Sequence, residues 1–138
     1  MLDIDAMKHQ HAEIGQAMTQ TMAVIDGGRA ASEAQAVATL LGDISAQIHK
    51  HLAVEDAEVY PVLADSDDPT IERTAKRFQT NMGGFADEFD SYFGRSDSAE
   101  AIGRDPSVFG YETRTIFERL RHRMRREEAD LYPLLDEV

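Results

Sequence analysis

One helical turn separates His51 from Glu55 on a line that is otherwise apolar: Val37, Leu41, Ile44, Ile48, His51, Glu55, Val59 and Val62 recur at spacings of three and four. In a helix, such a line points inward. A buried imidazole and a buried carboxylate are costly unless they are paired, hydrogen-bonded or bound to a metal. The rest of the chain must therefore supply their partners.

The first candidate partner is His11. Ile4, Met7, His11, Ile14, Met18, Met22 and Ile25 predict an amphipathic helix over residues 3–26, ending at Gly27-Gly28. His9 falls about 160° from His11 on an ideal helix and belongs to the surface. Ser32-Glu33-Ala34-Gln35 reads as a capping box that opens a second helix. This helix runs to about Tyr60, where Pro61 ends or kinks it. After the polar connection of residues 65–70, Asp68-Pro69 opens a third helix, with Ile71, Ala75, Phe78, Met82, Phe85, Phe89 and Phe93 on its inward line. Gly83-Gly84 in its middle implies either a break or an unusually close neighbour. Residues 94–107 read as a loop with one short helical turn. Asp105-Pro106 then opens the last helix, whose inward face carries Phe109, Ile116, Phe117, Leu120, Met124, Glu127, Leu131 and Leu134.

Four amphipathic segments without β-like alternation predict an all-α fold, an up-down-up-down four-helix bundle forming a single domain over residues 1–138. An internal echo strengthens this. Glu55-Asp56-Ala57-Glu58-Val59-Tyr60-Pro61-Val62-Leu63 matches Glu127-Glu128-Ala129-Asp130-Leu131-Tyr132-Pro133-Leu134-Leu135 in residue class, position by position. Glu55 and Glu127 are thereby expected at one depth, facing each other. The chain has no cysteine, so any metal site here uses nitrogen and oxygen ligands. A net charge of -12 disfavours nucleic acid and anionic membranes as partners. The absence of a signal-peptide pattern and of a long apolar stretch points to a soluble, cytoplasmic protein.

The histidine in KHQHAEI, the HxxxE of HLAVEDAEVYP and the final HRMRREEADLYPLL together resemble the hemerythrin-like, or HHE cation-binding, family across essentially the whole chain. The resemblance implies a four-helix bundle around non-haem iron, with roles ranging from reversible oxygen binding to sensing of oxygen, nitric oxide or iron, and repair. Carried over, His11 and His51 bind one iron, Glu55 and Glu127 are the bridging carboxylates, and His122 stands five residues before Glu127, a spacing the family uses. The departure lies in the third helix. The family supplies histidine there, whereas this chain reads FQTNMGGFADEFDSYF, with Met82 at the ligand position. His122 points about 140° from Glu127 on an ideal helix, and a π-bulge between them would turn it inward. Arg123 matches His51 in the echo and is an alternative occupant that would pair with Glu55 or Glu127.

Two iron ions, one, or none remain open at this point. The leading expectation is an iron protein with an incomplete or mononuclear site that binds or senses oxygen, nitric oxide or redox state. The alternative is a metal-free derivative of the fold, a protein-interaction module whose buried polar cluster fixes helix register. Nothing in the sequence supplies a substrate pocket with acid–base groups, so an enzyme is not the default. His49 and the arginine stripe Arg119, Arg121, Arg123, Arg125 and Arg126 read as solvated faces, the latter pairing with acidic residues of neighbouring helices.

Overall fold

The computed structural model describes residues 3–138. Helix α1 spans Ile4–Asp26 and α2 Ala34–Val54; a π-helical turn at Glu55–Val59 carries α2 into α3, Tyr60–Ala64. Then come α4 (Pro69–Ser96), α5 (Ala99–Arg104) and α6 (Pro106–Arg126), the last followed by a second π turn at Glu127–Leu131 and a 3-10 helix at Tyr132–Glu137. Helix α1 packs on α2 and α6, and α4 packs on the same two helices from the other side. Cross-helix contacts fix the directions: His11 meets His51, Arg114 pairs with Asp26, His49 bonds Asp90 and Arg95 bonds Glu112. Each long helix therefore runs antiparallel to its neighbours, and the chain is an all-α, up-down-up-down bundle.

Helix starts follow local chemistry. Asp3, Asp68, Ser98 and Asp105 each accept a hydrogen bond from a first-turn N–H of α1, α4, α5 and α6, caps worth about 1 kcal/mol apiece. Helix α1 ends at Asp26; two residues on, Gly28 has a φ of 71°, which suits glycine and lets the Arg29 N–H return to the Val24 carbonyl. The expected capping box at Ser32 does not form. The Ser32 hydroxyl turns back to the Arg29 carbonyl, Glu33 caps α2 without a side-chain bond, and the helix begins at Ala34.

The two prolines of the echo shape the bundle's lower end. Pro61 and Pro133 lack an N–H and would crowd the carbonyl four residues back, so the chain admits one extra residue per turn. The Tyr60 N–H bonds the Glu55 carbonyl, and the Tyr132 N–H bonds the Glu127 carbonyl. The extra residue also shifts the inward line. Val62, expected inside, is 47% exposed, while Tyr60 and Leu63 are buried.

Three further expectations change. Residues 94–107 are more helical than a loop with one turn, because α4 continues through Ser96 and Ser98 caps the six-residue α5. Near the end of α4, Tyr92 rather than Phe93 is fully buried, its hydroxyl 2.7 Å from that of Thr113. Gly83-Gly84 neither breaks α4 nor admits a close neighbour, since a Cβ at either position would meet nothing within 4 Å. Instead Gly83 helps line a surface hollow of about 260 Å3 with Leu52, Asp56, Tyr60, Gln79 and Met82. Gly83→Ala and Gly84→Ala are each expected to raise stability by about 1 kcal/mol, because helix propensity improves with no clash. Thermal denaturation measures the gain.

The core has two parts. Ile14, Met18, Leu41, Ile48, Phe89 and Met124 belong to the larger, and Met7, Val59, Leu63, Ile71, Phe78 and Leu131 to the smaller. Along α1 the order is Met7, His11, Ile14; along α2, Ile48, His51, Glu55, Val59; along α6, Met124, Glu127, Leu131. A layer of polar side chains therefore separates two apolar ones.

Candidate metal centre

His11, His51, Glu55 and Glu127 are each no more than 5% exposed, and three different helices deliver them to one point. The Nε2 atoms of His11 and His51 lie 3.0 Å apart. Glu127 Oε1 is 3.1 Å from His11 Nε2 and 3.8 Å from His51 Nε2, and Glu55 Oε1 is 3.5 Å from His51 Nε2. Ligand atoms of His11, His51 and Glu127 all fall within 4.8 Å of one another, a grouping suited to a cation.

The outer partners fix the tautomers. His51 Nδ1 faces the Gln10 Oε1 at 2.7 Å, and His11 Nδ1 faces Glu128 Oε2 at 3.1 Å. Both partners only accept, so each Nδ1 carries the proton and donates it. When both rings are neutral, each Nε2 then presents a lone pair toward the other. Two lone pairs at 3.0 Å repel unless a proton or a metal ion stands between or beside them. Glu55 Oε1 and both Glu127 oxygens are likewise buried without a hydrogen-bond donor. The donor set, two imidazole nitrogens and two carboxylates with orphaned oxygens, fits a divalent transition metal such as iron.

The metal-free electrostatics tell the same story. Burial acts most strongly on His51 and opposes its charge, yet hydrogen bonds and charge from Glu127 and Glu55 outweigh it and raise its pKa to about 9. Glu55 is pushed up to about 8, by burial first and then by Glu127. Burial acts on Glu127 in the same direction, but the Glu55, His11 and His51 side chains clustered around it hold it below the usual carboxylate range. The pair thus divides its charge, with Glu55 the protonated partner and Glu127 the ionised one.

His122 does not join this group. Helix α6 remains α-helical from Pro106 through Arg126, so the bulge expected between His122 and Glu127 is absent; the π turn begins at Glu127 and acts on the residues after it. His122 is exposed, beside Arg119, Arg123 and Arg126 in an open hollow. Arg123 is only partly buried, and among the described residues its guanidinium forms no ion pair with Glu55 or Glu127. Met82 is buried and lines a cavity of about 10 Å3 with Ile14, Ile48, Leu120 and Met124, against His11, His51 and Glu127. His9 and His49 lie on the surface, paired with Glu13 and Asp90. The arginine stripe is solvated as expected: Arg119 pairs with Glu88, Arg121 bonds Thr19, and Arg126 covers the Phe78 ring.

Periodicity missed three contributors: Gln10, Glu128 and Tyr132. The first two adjoin ligand positions in sequence and act on the far side of the imidazoles. Tyr132 lies five residues after Glu127, which on an ideal helix is about 140° away. The π turn removes that offset and brings the phenol to the site, 3.2 Å from His51 Nε2 and 3.3 Å from His11 Nε2. Burial, with the negative charge of Glu127 and Glu55, pushes the Tyr132 phenol well above its usual range. The repeated Tyr-Pro of the echo was the available signal. Tyr60, its counterpart, is buried with a hydroxyl that has no partner.

In metal-free protein the folded state retains protons at His51 and Glu55 that the unfolded chain releases near 6.5 and 4.5. Stability from these groups is fully present below the unfolded values and is lost as pH rises through about 8 and 9. The lowered Glu127 contributes the opposite way, losing its stabilisation as pH falls below 4.5. With a chelator present, the melting temperature is therefore expected to fall steadily from about pH 5 to pH 9. Calorimetry across that range checks it, and a rising curve would contradict the charge distribution.

Compared with protein-family models, the chain matches the one described as the hemerythrin HHE cation binding domain over residues 2–135. Neither a search of the curated proteins nor one of the solved structures finds a match.

Proposed function

Since the chain belongs to the hemerythrin HHE cation-binding family, we propose that His11, His51, Glu55 and Glu127 hold a single non-haem iron ion, and that the protein uses it to bind or sense a diatomic molecule or redox state. The observation that carries this reading is the pair of Nε2 lone pairs 3.0 Å apart, each oriented by an acceptor behind its ring. His11 and His51 are set up to donate electron pairs to a common cation, while Gln10 and Glu128 lock the rings. Glu55 and Glu127, both buried, neutralise a divalent charge there. Iron bound there would supply redox chemistry and an affinity for oxygen or nitric oxide.

One ion rather than two follows from the donors at hand. Among the described residues, no third histidine faces the interior, and the thioether of Met82 is a poor ligand for oxidised iron. The small cavity between Met82 and the histidines has apolar walls and is on the order of one water-sized molecule. Such a space has no room for a substrate of ordinary size, which takes a pocket of roughly 300 Å3 or more.

A proton on His51 is the competing occupant, favoured by its raised pKa. In that reading the layer is a metal-free register device, and the protein is an interaction module.

Anaerobic titration with ferrous iron separates the two. The iron reading predicts one ion per chain and a stabilisation of about 2.7 kcal/mol when free iron is a hundredfold above its dissociation constant. His51→Ala is expected to abolish uptake and the thermal shift, whereas His122→Ala leaves both unchanged. Equal melting curves with and without iron would support the proton reading instead.

A further inference from the structure

Tyr132 occupies the metal-facing position that no histidine or carboxylate accounts for. It is 2% exposed, and its hydroxyl stands 3.3 Å from His11 Nε2, 3.2 Å from His51 Nε2 and 3.4 Å from Glu55 Oε2. With both imidazoles neutral and Glu55 ionised, the state in which these groups bind a metal ion, all three neighbours are acceptors. A phenol has one proton and can satisfy one of them. Near-equal distances to three acceptors mark a group that shares their point of convergence, rather than a donor directed at a single partner.

The second π turn places it there: the Tyr132 N–H closes on the Glu127 carbonyl, so ligand and phenol leave the same turn. Its ring also lies against His11, 5.7 Å between centroids with the planes 22° apart, which fixes the direction of the C–O bond. Tyr60 holds the matching place in the other half of the echo but differs. Its hydroxyl has no partner, and it meets neither histidine. The two-fold repeat of the sequence therefore yields one tyrosine at the metal point and one beside it.

Charge closes the argument. Two carboxylates balance a ferrous ion in a buried layer, but a ferric ion leaves one positive charge uncompensated, which burial penalises. We propose that Tyr132 is an additional metal ligand, its phenolate oxygen joining the His11, His51, Glu55 and Glu127 donors when the iron is ferric. This rests on the iron-binding reading above. On oxidation by an external one-electron acceptor such as ferricyanide, the electron comes from the ferrous ion. Tyr132 releases its phenolic proton to solvent, and its oxygen forms the new bond to ferric iron. One electron and one proton leave together, and the buried layer stays neutral. Tyrosine is an established type of ligand for ferric iron in proteins.

The test is to load the full chain with ferrous iron anaerobically, oxidise it with ferricyanide, remove excess reagent, and record visible absorption and resonance Raman spectra. The expected result is a phenolate-to-iron charge-transfer band with tyrosine ring modes enhanced by excitation into it. Tyr132→Phe should still take up ferrous iron but lose the band, and hold ferric iron at least about tenfold less tightly against a chelator. Tyr60→Phe, Tyr92→Phe and Tyr111→Phe should each retain the band, which assigns it even if the Tyr132 variant is unstable. Iron uptake by the unaltered protein without a phenolate band overturns this proposal alone, as does loss of the band in Tyr60→Phe. Failure of the unaltered protein to take up iron overturns the metal centre itself.

Discussion

Two imidazole nitrogens held 3.0 Å apart with their lone pairs facing form the constraint on which the rest of the bundle depends. Between neutral rings that contact is unfavourable, and the fold is arranged to maintain it. Gln10 and Glu128 hold the rings from behind, and Glu55, Glu127 and Tyr132 close around the front. Apolar packing above and below keeps water from relaxing the cluster. A cation or a proton at this point turns mutual repulsion into shared attraction. Occupancy and stability are thus coupled in one layer.

The prolines at 61 and 133 connect this layer to the end of the bundle. Each forces an extra residue into its helix immediately after a buried glutamate. The same backbone adjustment that spares a clash swings the following tyrosine under that glutamate. It also rotates the last turn so that Leu63, not Val62, closes the smaller core. A local steric rule thereby decides both which side chains reach the site and how the helix ends pack beneath it.

The two halves of the bundle share a plan and diverge in chemistry. One half brings His11, His51 and Glu55; the other brings Glu127 and, where the symmetry would ask for nitrogen donors, Met82 and Arg123. Met82 lines the small apolar cavity beside the site, and Arg123 stays at the margin with the other arginines. The result is a one-sided donor set, with both histidines on the α1–α2 side and a carboxylate crossing from α6. Surface pairs such as Arg119 with Glu88 and Arg114 with Asp26 hold the outer faces in a strongly acidic protein, but such exposed pairs contribute little stability each.

The sequence by itself determined the four amphipathic segments, the two proline-headed helix starts, and the meeting of His11, His51, Glu55 and Glu127. All of these depend on helical period and on residues that report directly on burial. Only the tertiary structure decided the fate of His122 and the arrival of Tyr132. Both turn on where a single extra residue enters α6, and a proline's effect on register is felt on the residues that precede it, not as far back as His122. It likewise decided that Gly83-Gly84 borders an open hollow, because helix period says where a residue points and not whether a neighbour is there. The outer partners Gln10 and Glu128 escaped notice for a related reason. They lie beside the inward line, and their roles exist only once two imidazoles from different helices have been brought face to face.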